Sequence, residues 1–570
     1  MSITQHHRET VVHHQIDEET PLVPKSPRFK PGLDLLNHVL IAKQKKVYSA
    51  IALADIFQKV VYTTIITSFV LYAFTYLDCT YEHSLIVYFI FAVCSWITAA
   101  TVNLFAEHFV IRRTAIVVGF VIYFFGVAGL TGLSAHILNG PFILRYLTVI
   151  PLYLICLGEG LCKTFVGDFG HDQFSETRLS EKLHSYTTKL YWIGHLFALV
   201  LIAFLLGIME FASYEVGLGL CCVCLGAGFM SFCIGWSKFK RPEKSKVNVL
   251  KLLYNIITEA KAVKKSVSLK RKSGYSISRE PTLHWLDYAT IKVGGRFSHA
   301  EVQEAKSFFK IFAIFLSFIP YWICNAQGYS TFIYQGFHLD KRIGSVYVPV
   351  SWIALVNIVA VLIFVQLLEK LIYPLLRRKG YSFPTSWRIM MGMFAACISM
   401  MLAGGVQLYA HRIHANNGTC LQPVGKLNMT CVSGIHILWT VPQYIFLGIS
   451  EVLVGLTGLG LACKLCPGIF QKLITSVYYV MVAMGNAISV VVVRSGWFPT
   501  GEYFNRHEMV IYFFGLAGVA LLGLLLFMFV QSRQDYVSAS SRYNTEYESS
   551  HVEICAHDDN FPGHTEENVV

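Results

Sequence analysis

Charge is scarce in this chain. Asp, Glu, Lys and Arg together make up 14% of its 570 residues, where soluble domains carry about 25%. Hydrophobic residues make up 54%, and the mean hydropathy is +0.51. An aqueous domain cannot hide that much apolar surface, so the shortage of charge excludes a soluble fold and points to a bilayer as solvent. Other absences narrow the reading. The chain has no P-loop lysine motif, no G-x-S-x-G and no paired carboxylates in a polar segment, so nothing supports an enzyme. No stacking aromatics punctuate the basic stretches, so the formal net charge of +12 does not signal nucleic acid. The fifteen Cys form no disulfide framework. Most lie inside apolar runs, where Cys behaves as a small hydrophobe. The C-x-x-C of Cys463 and Cys466 has neither a second pair nor a His cluster, so no metal is expected. The first forty-odd residues contain no apolar h-region, and the first hydrophobic run is expected to act as its own insertion signal.

What is present is a series of apolar runs, each near the roughly 20 residues that a helical span needs. They lie near 48–76, 85–106, 114–138, 146–167, 187–209, 215–237, 307–332, 346–369, 387–409, 435–462, 473–494 and 509–531. The chain thus divides into a cytosolic N-terminal segment (1–47), a six-helix half (48–237), a basic loop (238–306), a second six-helix half (307–531) and a polar tail (532–570) expected to be disordered. The basic loop contains KFKRPEKSK and KKSVSLKRK. That cationic excess places it in the cytosol together with both termini. Amphipathic stretches within it, such as the one from Val249, are expected to lie on the membrane surface.

The loop between the ninth and tenth spans gives an independent check on this orientation. It holds two glycosylation sequons, at Asn417 and Asn428, and two cysteines, Cys420 and Cys431. The span count puts this loop outside the cytosol, where sequons are used and the cysteines can pair. Near the N-terminus, Glu18-Glu19-Thr20-Pro21-Leu22-Val23 reads either as an acidic sorting signal or as a solvated acidic patch. The expected location is the plasma membrane or an endolysosomal membrane. Lipid surrounds the spans, and a cytosolic adaptor would meet the N-terminal segment, the basic loop or the tail.

Two six-span halves joined by a charged cytosolic loop suggest an all-α, major facilitator architecture of twelve transmembrane helices. Motifs sharpen this. The fourth span ends Leu157-Gly-Glu-Gly-Leu-Cys-Lys163, followed by Phe169-Gly-His-Asp-Gln173-Phe. The seventh carries Pro320-Tyr-Trp322 and Gln327, followed by Thr331 and Gln335. The tenth reads Val441-Pro-Gln-Tyr444-Ile-Phe-Leu-Gly-Ile-Ser-Glu451. These resemble motifs of the proton-coupled oligopeptide transporter family, solute carrier family 15, nearest its peptide/histidine branch or its orphan fifth member. Weak similarity extends over most of residues 45–535. The resemblance implies symport of small peptides or histidine-like amino acids by alternating access, with protons as the coupling ion and no other cofactor. It implies that Glu451 receives a substrate amine and that Lys163 belongs to the carboxylate and proton-linked network. Tyr62, Trp322 and Gln327 are cavity-lining candidates on the same ground. The other readings are a uniporter of another zwitterion, and a non-transporting scaffold or sensor derived from a transporter.

The departures from the family pattern matter equally. The first-span E-x-x-E-R motif here reads Asp55, Gln58 and Lys59, so one acid is lost. His195 stands where the family has Asn. Either a titrating role or a hydrogen-bonding one suits it. Charges at mid-membrane cost roughly 2.5–3.5 kcal/mol each on insertion scales, so each must have a partner or water. Lys163 and Glu451, one in each half, suit a zwitterionic ligand by charge matching, or form a structural ion pair that locks the halves. Glu159 is not a family residue. It lies four positions before Lys163 on one helical face, and is either a relocated counter-ion or a fortuitous acid. Asp55 either pairs with Lys59 or reaches Lys163.

Overall fold

A computed structural model describes residues 31–109, 112–137, 143–173, 180–239, 248–272, 284–381, 383–417, 420–424, 428–466, 469–497 and 507–558. Among them, eleven helices are long and apolar enough to cross a membrane, and a bent pair, His299–Leu316 with Ile319–Phe337, supplies the twelfth crossing. The seventh apolar run is thus a broken helix and not one straight rod. Its axis turns by 47° at Ser317–Phe318, just before Pro320, whose ring cannot continue a helix without losing a backbone hydrogen bond.

The other spans are Gln44–Thr75, Tyr81–Phe105, Arg112–His136, Val149–Gly167, Trp192–Phe211 and Tyr214–Lys238 in the first half. Val350–Arg378, Thr385–Ile413, Ile437–Ala462, Gln471–Ser495 and His507–Gln534 complete the second. Two helices reach beyond the boundaries expected from apolarity. The first begins at Pro31 and the last continues to Asp558. No Pro or Gly interrupts 524–561, so the polar tail up to Asp558 keeps helical backbone where composition suggests disorder. The basic loop likewise carries a helix, Val249–Lys272. Its Ile256 and Ala260 are buried. Glu259 pairs with Arg296 at 3.4 Å, and Asp287 with Lys306 at 2.5 Å, which ties the loop to the foot of the seventh span.

Small residues set how closely the helices approach. A Cβ at Gly158 would run into the backbone of Tyr123, so only glycine lets the third and fourth spans pack so tightly. A Cβ at Gly448 would meet the carbonyl of Asn357, which fixes the eighth span against the tenth. Both glycines lie within a few residues of a mid-membrane acid.

The halves meet firmly at the end of the bundle away from the basic loop. Phe74 packs edge-on against Phe337 with ring centroids 5.7 Å apart, and Tyr81 contacts Tyr334 at 4.7 Å and His338 at 5.4 Å. Half-buried Glu210, at the end of the fifth span, accepts the first two N–H groups of the eighth, from Val350 (2.7 Å) and Ser351 (3.3 Å). A carboxylate at a helix N-terminus satisfies donors that have no partner within the helix. Toward the end that carries the basic loop, Asn103 Nδ2 donates to Ser476 Oγ (2.8 Å) and to the Lys472 carbonyl (2.9 Å), joining the second and eleventh spans.

At the loop after the ninth span, strands Cys420–Val424 and Asn428–His436 form a hairpin in which Cys420 pairs with Val432 and Leu421 with Cys431. The side chains of Asn417, Cys420, Asn428 and Cys431 lie outside the described residues, as does residue 418, part of the first sequon.

Candidate functional site

Two clusters of buried polar groups occupy the middle of the bundle, one in each half. In the first, Lys163 Nζ lies 3.4 Å from Glu159 Oε1. The i, i+4 spacing puts the two side chains on one face, in the favoured order of acid before base. Glu159 is 2% exposed, and its second oxygen accepts a hydrogen bond from Ser95 Oγ of the second span at 2.8 Å. The Lys163 ammonium also sits 3.3 Å from the Trp96 ring centroid and 5.4 Å from that of Tyr62, so two aromatic faces stabilise the cation as well. Trp96 in turn contacts Tyr479 of the eleventh span at 5.5 Å, which carries the cluster to the boundary between the halves.

Asp55 is engaged elsewhere. Its Oδ2 lies 2.5 Å from Lys59 Nζ, and its Oδ1 accepts from Gln58 Nε2 at 3.2 Å. Of the two partners open to Asp55, the structure selects Lys59. Gln58 itself is 1% exposed. Tyr62 stacks on Phe91 at 6.4 Å.

The second cluster is built around Glu451. Asn357 Nδ2 donates to Glu451 Oε2 at 3.1 Å and contacts the Tyr329 hydroxyl at 3.4 Å. Glu451 opens a π-helical turn, Glu451–Leu456, and such turns recur at functional sites in helices. The turn is steadied by Tyr478, whose hydroxyl donates to the Gly455 carbonyl at 3.0 Å. Trp322 stands perpendicular to Tyr478 at 5.5 Å, and both rings lie beside Gly455 with Glu451. Trp322 is 7% exposed, and its indole N–H meets no acceptor among the described residues. A buried donor without a partner is costly, so this edge is a natural point for a ligand or a water. Among the described residues no Lys, Arg or His pairs with Glu451. The lock between Lys163 and Glu451 is therefore not formed, since Lys163 is held by its own helix.

Two further candidates sit apart from these clusters. Gln327 is turned into the interior of the C-terminal half. It is fully buried, donates to the Ile323 carbonyl (2.7 Å) and accepts from Thr331 (2.9 Å) and Tyr512 (3.0 Å). Every one of its polar atoms serves packing there, which corrects the expectation that it lines the cavity. His195 is half-buried on the fifth span, next to Gly194, which backs onto Ile56, the neighbour of Asp55.

The residues that hold Glu159, Lys163 and Glu451 carry no motif in the sequence. Ser95, Trp96 and Asn357 are each isolated polar or amphipathic residues in otherwise apolar runs. That is the signal that could have found them, because a lone amide in mid-membrane needs a partner. No group of His, Cys, Asp and Glu able to hold a metal occurs among the described residues.

Solute carrier family 15 member 3 of Rattus norvegicus is 24% identical over 417 residues, covering 68% of this chain and 69% of the relative. Protein NRT1/PTR FAMILY 8.3 of Arabidopsis thaliana is 25% identical over 437 residues, covering 68% and 72%. Peptide transporter 3 of Caenorhabditis elegans is 26% identical over 328 residues, covering 56% and 45%. Among solved structures, the POT family transporter PepTSo superposes with a TM-score of 0.65 at 18% identity, covering 86% of this chain and 98% of that one. A POT family transporter in complex with 5-aminolevulinic acid does so with a TM-score of 0.59 at 16% identity, covering 85% and 96%. At these identities the structural likeness is one of fold, the major facilitator arrangement. The family model PTR2, described as the POT family, matches residues 113–498. That match runs from the third span to the eleventh, covers well over half of this multi-pass membrane protein, and the chain belongs to the POT family.

Proposed function

We propose that the chain is a proton-coupled symporter of small peptides or histidine-like amino acids, working by alternating access. One observation carries the reading. A cation, Lys163, with a titratable partner stands in one half, and a carboxylate without a cation, Glu451, stands in the other. A relative named as a peptide transporter, and a fold neighbour with a bound amino acid, support the substrate class.

Each residue then has a task. Glu451, oriented by Asn357, receives the substrate ammonium, with Trp322 and Tyr478 forming the wall beside it. Lys163 meets the substrate carboxylate. It is held by Glu159 until a proton neutralises that acid, and the released ammonium is then available to the ligand. Proton entry and substrate binding are thereby linked on one helix. The aromatic contacts at Phe74, Tyr81 and Phe337, with the Glu210 cap, close the extracytoplasmic end, as a mechanism of alternating access requires of one of its states. The test is uptake of labelled histidine and dipeptides into cells expressing the protein at their surface, at acidic and neutral external pH. Uptake that rises with external acidity is the expected result. Surface expression without uptake of any of them contradicts the reading.

A further inference from the structure

The turn between the eighth and ninth spans lies at the same end of the bundle as the basic loop, and it gathers cations. Lys370, Arg377, Arg378, Lys379 and Arg388 stand there against a single acid, Glu369. Among the described residues none of these cations forms an ion pair. Lys370, Arg377, Arg378 and Lys379 are exposed, as basic residues that only orient a span are. Arg388 is half-buried and held in place. Its Nη1 donates to the Tyr373 hydroxyl at 3.0 Å and its Nη2 to Thr385 Oγ1 at 3.3 Å. The guanidinium lies 5.4 Å from the Tyr373 ring centroid and 6.0 Å from that of Phe383, and its Nε meets no acceptor among the described residues. It also stands in the first turn of the ninth span, Thr385–Asn417, where the helix dipole disfavours a cation. Neutral hydroxyls and rings thus fix the fork of Arg388 while its charge goes unanswered. Such an arrangement is costly alone and is offset by an anion. Phosphate is the anion whose geometry the planar fork matches.

The surroundings decide what carries the phosphate. The eighth and ninth spans both pack on the tenth. Leu368 of the eighth is buried in one cluster with Val452 and Leu453 of the tenth, and Gly392 of the ninth backs onto Leu453 and Val454. A furrow floored by the tenth span therefore runs down between its two neighbours, and Arg388 and Tyr373 bridge it at its mouth. From that mouth the ninth span presents exposed Trp387, Met391 and Phe394 at helical spacing. The site is thus cationic at the membrane boundary and apolar at hydrocarbon depth. A free phosphorylated metabolite uses only the first part, whereas a phospholipid uses both. On the orientation that the charge bias implies, this is the leaflet rich in anionic lipid.

We infer that Arg388, with Arg377 and Arg378 beside it, binds the phosphate of an anionic phospholipid whose acyl chains lie along the furrow between the eighth and ninth spans. Arg377 lies one turn beyond Tyr373 on the same helical face, and Trp387 flanks the mouth as an interfacial anchor. The site is separate from the clusters around Lys163 and Glu451 and does not depend on the transport reading.

The test is native mass spectrometry of the purified full-length protein in detergent, with phosphatidylserine, phosphatidylcholine and glycerophosphoserine, which is the serine headgroup without acyl chains. Phosphatidylserine is expected to bind about tenfold more tightly than phosphatidylcholine, the scale of a hydrogen bond to a charged group. Glycerophosphoserine at equal concentration should not displace it. Arg388→Gln should remove the preference. Because Arg388 also ties the two spans together, Arg377→Gln with Arg378→Gln supplies a second variant. Both residues are exposed and unpaired, so its melting temperature in phosphatidylcholine should match that of the native protein, while phosphatidylserine binds about threefold more weakly, the scale of exposed charges. Equal binding of the two lipids by the native protein overturns the inference, as does phosphatidylserine binding of native strength in Arg388→Gln. Should Arg388→Gln not fold, native-strength binding in the double variant overturns it. Displacement by glycerophosphoserine would assign the site to a free phosphate ester and overturn the lipid.

Discussion

Glu159 Oε1 lies 3.4 Å from Lys163 Nζ, one turn away on the same helix. A membrane-embedded lysine is tolerable only with such compensation, and here it comes from its own span because the first span offers Gln58 where an acid would stand. The relation makes the fourth span self-sufficient in charge and leaves Glu451 without a cation among the described residues.

That division of labour predicts an asymmetric response at Glu451. Glu451→Gln should weaken substrates with a free amino terminus by about 2–5 kcal/mol and spare N-blocked ones. Asn357→Ala, which removes one hydrogen bond to the carboxylate, should cost a smaller part of the same effect, about 1 kcal/mol. Competition by blocked and unblocked dipeptides at matched surface expression checks both. Equal losses for the two ligand types would assign Glu451 to structure.

Gln327 should behave in the opposite way. Its replacement by Leu leaves the Thr331 and Tyr512 hydroxyls without their acceptor, at about 1–3 kcal/mol of stability. The melting temperature of the purified variant should fall, while the apparent affinity of the surviving protein for substrate stays unchanged. A loss of affinity without loss of stability would return Gln327 to the cavity.

The closure at the end away from the basic loop offers a third test. Glu210→Ala removes the cap on the eighth span, so a cysteine placed at Phe337 should become more reactive to an impermeant thiol reagent added from outside. The neighbouring Lys341, in the loop beyond the seventh span, is held down to about 8 by burial, with the Glu210 carboxylate opposing the shift. The unfolded lysine binds its proton up to about 10.4, so between about 8 and 10.4 the unfolded chain holds more protons and stability rises with pH. Lys341→Met should reduce that rise in a series of melting temperatures. A rise of undiminished size in the variant would place its origin elsewhere.

Topology is checked at the hairpin after the ninth span. Replacing both Asn417 and Asn428 with Gln should remove any N-glycan shift on a gel, since the basic loop and these sequons require opposite sides of the membrane. A glycan retained in the double variant would contradict the orientation.

Much of the architecture is legible in the sequence because lipid permits few alternatives. Runs of about 20 apolar residues must become helices, and Lys and Arg mark the cytosolic ends. The motif residues Lys163 and Glu451 stand out because a charge in such a run demands a reason. Their partners are hidden for a physical cause. That Ser95 and Trp96 meet Glu159 and Lys163, or that Asn357 meets Glu451, depends on the rotation and closeness of neighbouring helices. Those are set by Gly158 and Gly448 in ways no one-dimensional period reveals. Gln327 shows the converse, since a motif position alone does not tell whether an amide faces a cavity or a neighbouring tyrosine. The bend before Pro320 breaks a run, 307–332, that reads as one span, and its angle follows from packing. The helical tail shows composition outweighed by the absence of any breaker.

The central claim is that protonation of Glu159 couples proton entry to binding. It is tested most directly by the external-pH profile of dipeptide uptake in the native protein, in Glu159→Gln, and in the double variant Glu159→Thr with Gln58→Glu. The account predicts acid-stimulated uptake in the native protein, a flat profile with intact counterflow exchange in Glu159→Gln, and restored pH dependence in the double variant. An unaltered pH profile in Glu159→Gln would contradict it and shift the coupling role to Asp55 or His195.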